Sequence, residues 1–163
     1  MAQPSIRAIG AGEFELAWPI FGEVLARGDT YAYPADLSLE RARAMWTDAP
    51  ARCFVAELGG RVVGCYRLAP NQMGPGDHVA NASYMVAEAA RGHGIGAALC
   101  VHSLDEARRS GFAAMQFNFV VSTNTAAVRL WQRLGFAIVG TLPEAFRHPS
   151  LGLVDGYVMY RAL

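Results

Sequence analysis

The chain has few cysteines, no excess charge and no long apolar run. Its three cysteines, Cys53, Cys65 and Cys100, are too widely spaced for a metal-ligand or redox pair, and three is an odd number for a disulfide framework. They are expected to be buried, reduced thiols, with no metal bound. No apolar stretch approaches the ~18 residues of a membrane span. The N-terminus lacks the charged-then-apolar order of a secretory signal. Fourteen Lys and Arg face fourteen Asp and Glu, so there is no bulk basic field for nucleic acid. Repeats, linkers and low-complexity segments are also missing. These absences predict a soluble, cytoplasmic protein with no nucleic-acid and no membrane partner. The 163 residues, 53% of them hydrophobic, fit one domain spanning residues 1–163 with a sizeable core.

What is present reads as alternating strands and helices. Ser5 to Ile9 is a short strand. Glu13 to Arg27 has helical spacing, with Phe14, Trp18, Phe21 and Leu25 on one stripe and Pro19 marking a separate or kinked first turn. Tyr31 and Tyr33 sit in a polar, aromatic loop, which is a connector or one wall of a substrate pocket. Ser38 is placed to cap a helix that runs to about Thr47. Arg52 to Leu58 and Arg61 to Leu68 flank Gly59-Gly60, the spacing of a two-residue hairpin. Val79 to Val86 is apolar or small on both faces, as a central strand should be. Ile95 to Ser110 is a helix, Ala113 to Val121 a strand, Asn124 to Leu134 a helix and Phe136 to Thr141 a strand. Leu142 to Gly152, with its two prolines, reads as a loop, and Val154 to Tyr160 as a last strand. The order predicts one mixed α/β sheet covered by helices.

Tyr84 to Leu99 organises the rest. A strand leads through Arg91-Gly92-His93-Gly94-Ile95-Gly96 into a helix. Backbone N–H groups at a helix start have no intrahelical partner, and the helix dipole there favours an anion. Glycines let such a loop approach a ligand closely, so the stretch is physically a phosphate cradle. A P-loop needs Lys and Ser or Thr after the last glycine, and Ala97-Ala98 follow instead. A dinucleotide fold needs its glycines directly after the strand and an acid ending the next strand. Five residues separate Val86 from Gly92, and Val120-Val121-Ser122 carries no acid.

The loop at Arg91–Gly96 resembles the acetyl-CoA pyrophosphate loop of the GNAT superfamily of N-acetyltransferases. Asn124 to Phe136 resembles that superfamily's second signature, in which an Asn opens a helix, an aromatic follows seven residues on, and Gly-Phe begins the next strand. The two motifs lie in the expected order. The resemblance implies a single GNAT-like domain. Its mixed, mostly antiparallel sheet would have about seven strands, helices on both faces and a splay between the fourth and fifth strands. It implies acetyl-CoA as acyl donor and attack by a neutral amine in a ternary complex. The amides from Arg91 through Gly96, namely those of Arg91, Gly92, His93, Gly94, Ile95 and Gly96, would hold the pyrophosphate. Met85 and Val86, with Ala87, would contact the pantetheine by backbone bonds, and Asn124 would bond it too. Ser122 and Thr123 would add contacts near Asn124.

One position departs from the pattern. Many relatives carry a Tyr where this chain has Trp131, and an indole N–H cannot protonate a thiolate. Either Trp131 only packs against the cofactor arm, or a water or Ser122 supplies the proton. Glu57 and His78 are the candidates for a base, and Glu88 is expected to be solvated beside the loop.

A closer resemblance links residues 79–143 to the fungal proline-analogue N-acetyltransferases, which acetylate azetidine-2-carboxylate and related cyclic imino acids. It rests on Asn81-Ala82-Ser83-Tyr84, Phe117-Asn118, Thr123-Asn124 and Trp131. It implies that Asn81 and Asn118 bind the acceptor. The expected function is acetyl transfer to the amine of a small molecule. Two other classes stay open: a protein or peptide N-acetyltransferase and a non-catalytic acyl-CoA sensor. A homodimer formed through the last strand and the Leu142–Leu153 region is a further expectation.

Overall fold

The computed structural model describes residues 3–163. Its strands are β1 (Ser5–Ile9), β2 (Arg52–Leu58), β3 (Arg61–Pro70), β4 (Val79–Val86), β5 (Ala114–Val121), β6 (Ala137–His148) and β7 (Gly152–Ala162). They form one sheet in the order β1-β2-β3-β4-β5-β7-β6. All neighbours are antiparallel except β4 and β5. Gly59 and Gly60 turn β2 into β3 at positive φ (58° and 76°), the mirror-turn geometry that matches strand twist.

The parallel pair shapes everything functional. Its register covers only Val79↔Ala114, Ala80↔Met115 and Asn81↔Gln116. On its other side β4 stays paired with β3 as far as Gly64↔Val86. From Ala82 onward β4 therefore has one paired edge and one open edge, which is the expected splay between the fourth and fifth strands.

Helices cover both faces. α1 (Trp18–Arg27) and α2 (Leu39–Thr47) close one of them, where Phe21, Val24 and Trp46 pack on Val55, Cys65 and Met85. α3 (Ile95–Arg109) and α4 (Thr125–Arg133) close the other, where Leu99, Leu104 and Trp131 pack on Tyr66, Phe117 and Met159. Successive β4 residues serve opposite cores, Ala82 one and Met85 the other, because strand side chains alternate. Ser38 caps α2 by accepting the Arg41 N–H at 3.2 Å. The three cysteines are buried and unbridged. No helix among the described residues is long and apolar enough to cross a membrane.

The first turn of the 13–27 stretch is separate, as Pro19 suggested. Ala11–Leu16 form a 3₁₀ segment, and α1 begins at Trp18 with Pro19 in its first turn, where a missing N–H costs nothing. One expectation about elements needs correction: Leu142 to Gly152 is not a loop. β6 continues to His148, and β7 begins at Gly152. β6 is an edge strand, which tolerates Pro143, and the pairing with β7 shifts register between Leu142 and Phe146 to accommodate it.

Candidate functional site

The glycine loop begins one residue after a 3₁₀ segment at Glu88–Ala90. Gly92 and Gly94 take positive φ (76° and 78°), and a Cβ at either would meet nothing within 4 Å. Their absence of side chain serves the backbone turn and leaves its outer surface bare. Gly94 is the N-cap of α3 and supplies no side-chain cap. The first helical bond runs from Ala98 N–H to Gly94 O at 3.0 Å. The N–H groups of Ile95, Gly96 and Ala97 are therefore free at the positive end of a 15-residue helix. Gly96 has a packing role as well, since its Cβ would lie 3.5 Å from Leu130 and 3.9 Å from Val86. Ile95 is buried in the core and offers only its amide. The His93 ring, exposed, bonds Arg91 O at 2.9 Å. Glu88, exposed, gives its N–H to Glu23 Oε2.

A second glycine, Gly64 on β3, presses the helix onto the sheet. A Cβ there would stand 2.9 Å from Leu99, 3.0 Å from Ile95 and 3.1 Å from the Met85 carbonyl. The cradle lies beside the open edge of β4 because α3 can approach this closely.

That open edge is specific in its polarity. Ala87 N–H is bonded to Val63 O on the β3 side, and backbone direction alternates along a strand. Met85 and Ala87 therefore turn their backbone groups to β3, while Tyr84 and Val86 turn theirs to the splay. Of the three residues expected to offer backbone bonds there, Val86 turns its groups to the open edge, whereas Met85 and Ala87 turn theirs to β3.

Tyr31 enters the same edge from the loop between α1 and α2. Its hydroxyl donates to Tyr84 O at 2.6 Å and accepts from Tyr84 N–H at 2.9 Å. Burial pushes its pKa well above the usual phenol value, so it stays protonated. Tyr33 stacks on Tyr31 with ring centroids 5.3 Å apart and accepts from Trp46 Nε1 at 3.2 Å. The tyrosine loop is thus a wall on one side of the splay. Trp131 forms another on the opposite face, 4.9 Å from the Tyr84 ring and 5.2 Å from the Phe117 ring.

Asn124 caps α4, its side chain accepting from Ala127 N–H at 3.4 Å. Asn81 gives its amide to Gln116 O at 3.0 Å, at the last paired position of β4 and β5. Asn118 gives its amide to Asn71 at 2.7 Å and accepts from Gln116 Nε2 at 2.9 Å. Both asparagines therefore belong to a polar chain on the two strands that diverge. Gln116 and Asn71, which the sequence did not single out, complete it.

The base candidates are not brought together. Glu57 is held by Arg7 at 3.0 Å on β2, and β3 and β4 lie between it and the splay. Its catalytic candidacy is withdrawn on that ground. His78 precedes β4 at the closed end of the splay and is exposed. Ser122 is half-buried just past β5, with its N–H on Asp155 O. Among the described residues no group of three His, Cys, Asp or Glu side chains is placed to hold a metal ion.

A cavity of about 190 Å³ adjoins Asn124. It is lined by Arg27 at the end of α1, by Asp29 and Thr30 after it, by Thr123 to Ala126 at the α4 start, and by His148 at the end of β6. Asp29 Oδ1 and Thr123 Oγ1 are buried without a hydrogen-bond partner. Sequence reasoning missed Asp29 and His148, because the three segments that form the cavity carry no shared motif.

Free N–H groups at the start of α3 beside the open edge of β4 define a mixed α/β domain whose splay suits an elongated ligand with an anionic group. Comparison with known proteins identifies the family. Residues 14–136 match the Acetyltransferase (GNAT) family model, and the chain belongs to that family. The GCN5-related N-acetyltransferase from Kribbella flavida is 48% identical, with a TM-score of 0.93, covering 99% of this chain and 98% of that one. The N-acetyltransferase aca1 of Schizosaccharomyces pombe is 36% identical over 98 residues, which are 60% of this chain and 47% of the yeast protein. The chain thus matches about half the length of that curated relative. The fold is also shared, at a TM-score of 0.86 and 23% identity, with yncA from Salmonella typhimurium, solved with its cofactor acetyl-CoA; the match covers 99% of this chain and 95% of that one.

Proposed function

We propose that this chain transfers an acetyl group from acetyl-CoA to the amine of a small molecule. The observation that carries the reading is the row of free N–H groups at Ile95, Gly96 and Ala97, set beside the open edge of β4. Those donors, with the bare turns at Gly92 and Gly94, suit a pyrophosphate. Val86 turns its backbone N–H and C=O to the splay, which suits an amide of a pantetheine arm, while Tyr31 holds both backbone groups of Tyr84. Acetyl-CoA supplies the activated acetyl thioester. The protein supplies alignment: Asn124 at one lip of the splay, Trp131 as a buried wall and Tyr31 at the other lip. Trp131 packs and does not donate a proton, and a thiolate is a fair leaving group near neutral pH. The likeness to yncA adds support for acetyl-CoA as the donor.

Within small amines, a cyclic imino or amino acid is the acceptor class we favour. It rests on the resemblance carried by Asn81 and Asn118. A cytoplasmic location and a homodimer belong to the same reading. The exposed edge strand β6, with Ile138, Val139 and Leu142 at its surface, supports pairing with a second copy; sedimentation of the pure protein tests it.

The experiment is direct. Pure protein is incubated with acetyl-CoA and a panel holding azetidine-2-carboxylate, phosphinothricin, free amino acids and an N-terminal alanine peptide, and released thiol is counted. Thiol release with a small amine supports the reading. Acetylation of the peptide alone replaces it with a peptide N-acetyltransferase. Tight acetyl-CoA binding with no transfer to any amine replaces it with an acyl-CoA sensor.

A further inference from the structure

A cation without a counter-ion stands on the sheet face opposite α3. Tyr66 and Leu68 of β3 pack into the core under α3 and α4, and Cys65 packs into the core under α1 and α2. Side chains alternate along a strand, so Arg67 lies on the α1–α2 face. It is half-buried, and its Nε donates to Met45 O at 2.8 Å. Met45 is in the last turn of α2, where helix carbonyls lack an intrahelical partner. That bond holds the guanidinium by one edge. Its Nη1 and Nη2 meet no acceptor among the described residues. Both remain accessible, because the sealed, unpartnered side-chain atoms are Asp29 Oδ1, Arg43 Nε and Thr123 Oγ1. Burial lowers the Arg67 pKa, and no carboxylate acts against that fall. A partly buried charge without a partner is costly, and its presence calls for an explanation.

Tyr33 is its neighbour. The Tyr33 hydroxyl accepts from Trp46 Nε1 at 3.2 Å, the residue after Met45, and donates to no acceptor among the described residues. Burial raises the Tyr33 phenol and Arg67 acts against that rise, as a cation beside it should. The pair is tied to the splay by two routes. Tyr33 stacks on Tyr31, which holds both backbone groups of Tyr84. Arg67 also pairs directly with Ser83, the residue before Tyr84, at a Cα separation of about 5 Å.

We infer that Arg67 is the specificity residue for a carboxylate on the acceptor, with its Nη1 and Nη2 taking the two oxygens and the Tyr33 hydroxyl adding a third donor. An ionised carboxylate only accepts, so it satisfies three unspent donors without bringing one of its own. Its planar pair of oxygens also matches the guanidinium fork. The glycine cradle lies at the start of α3 on the other face, so the two anion sites are separate. Donor and acceptor then reach β4 from opposite faces and meet at its open edge. The inference rests on the small-amine reading and narrows it to amines that also carry a carboxylate, which are amino and imino acids.

The test changes the anion and keeps the outline. Azetidine-2-carboxylate is compared with azetidine-2-carboxamide, and alanine with alaninamide. Dissociation constants are measured by calorimetry on the whole protein saturated with CoA. In the wild type the acid of at least one pair should bind roughly tenfold or more tightly than its amide. Arg67→Gln should bring that ratio close to one while acetyl-CoA affinity is unchanged. Arg67→Lys keeps a charge without the fork and should retain part of the ratio. Tyr33→Phe should lower it by a smaller factor. These two variants cover the case in which Arg67→Gln does not fold. Failure of the wild type to bind either acid, or to prefer it over its amide, overturns the inference. So does an undiminished preference in Arg67→Gln, or in both other variants. Thiol release from acetyl-CoA that is as fast with the amides as with the acids keeps the transfer reading and overturns the carboxylate site. Preference for the acid with no thiol released by any amine overturns the transfer reading and leaves the carboxylate site standing.

Discussion

One hydroxyl satisfies both backbone groups of another residue: Tyr31 donates to the Tyr84 carbonyl and accepts from the Tyr84 N–H, at 2.6 and 2.9 Å. Those two groups face the splay, where a neighbouring strand would otherwise pair with them. The tyrosine takes the place of that strand at a single point and keeps the open edge of β4 from being an unsatisfied one. Tyr31→Phe removes both bonds. The expected loss is about 1–3 kcal/mol, seen as a melting temperature lower by several degrees. An unchanged melt would show that the hydroxyl contributes nothing to the fold.

Gly94→Asp should abolish acetyl-CoA binding and leave the circular dichroism spectrum intact. The position has φ of 78° and open space around it, and Asp is among the residues that tolerate left-handed backbone. The added carboxylate stands against the anion end of α3. Calorimetry that returns the wild-type affinity would refute the cradle.

Gly64→Ala tests how closely α3 must approach. The new Cβ meets Leu99, Ile95 and the Met85 carbonyl at 2.9–3.1 Å, and a carbonyl in a paired strand cannot move aside cheaply. A destabilisation of about 1–3 kcal/mol is expected, together with weaker acetyl-CoA binding because the helix start shifts. Wild-type stability and affinity together would show that the contact is slack.

Asn81→Ala and Asn118→Ala should weaken the binding of azetidine-2-carboxylate while acetyl-CoA affinity survives. Asn81→Ala should also cost about 0.5–1.5 kcal/mol, since its amide ties β4 to β5 at their last paired residues. Asn118 is exposed, and its loss should leave the melt nearly unchanged. Equal loss of acetyl-CoA affinity in both variants would contradict an acceptor role.

Stability should fall with acid in two steps. Burial holds the His102 imidazole below its usual value near 6.5. Hydrogen bonds from Arg109 and then Arg52, at 2.7 and 2.9 Å, hold Glu106 below 4.5. Both groups bind protons more readily in the unfolded chain, so their contribution is complete above the unfolded value and is lost as pH falls through the folded one. Melts should be level between about pH 7 and 8, decline from about 6.5 as His102 responds, and decline further from about 4.5. Glu13, held down by Arg7, titrates in the lower window as well. Glu106→Gln should shrink the lower step. A melting temperature that is constant or rises on acidification would refute the assignment.

What the sequence revealed and what it withheld follow from how far apart the partners lie. The glycine loop and the Asn124 cap are written within a few residues, so both were legible, as were the hairpin glycines and the Ser38 cap. Tyr31 and Tyr84 are 53 residues apart, and no local pattern announces their bond. Asp29, Thr123 and His148 come from three segments that meet only once the sheet is formed. The Leu142–Gly152 stretch was misread because its two prolines suggest a loop, whereas Pro143 sits in the edge strand β6, which needs fewer of its N–H groups, and Pro149 lies in the turn that follows. Met85 was misassigned for a related reason: which backbone groups of a strand face a gap is set by register, and register is a property of the partner strand.

The buried thiols have a practical consequence at the bench. Burial lifts Cys53 to about 12 and Cys100 to about 11, and Cys65 also lies well above the usual thiol range. A chromogenic disulfide reagent reacts with thiolates it can reach. At neutral pH the folded chain offers it none, so colour that develops in such an assay measures released coenzyme, and a slow upward drift without amine reports unfolding protein.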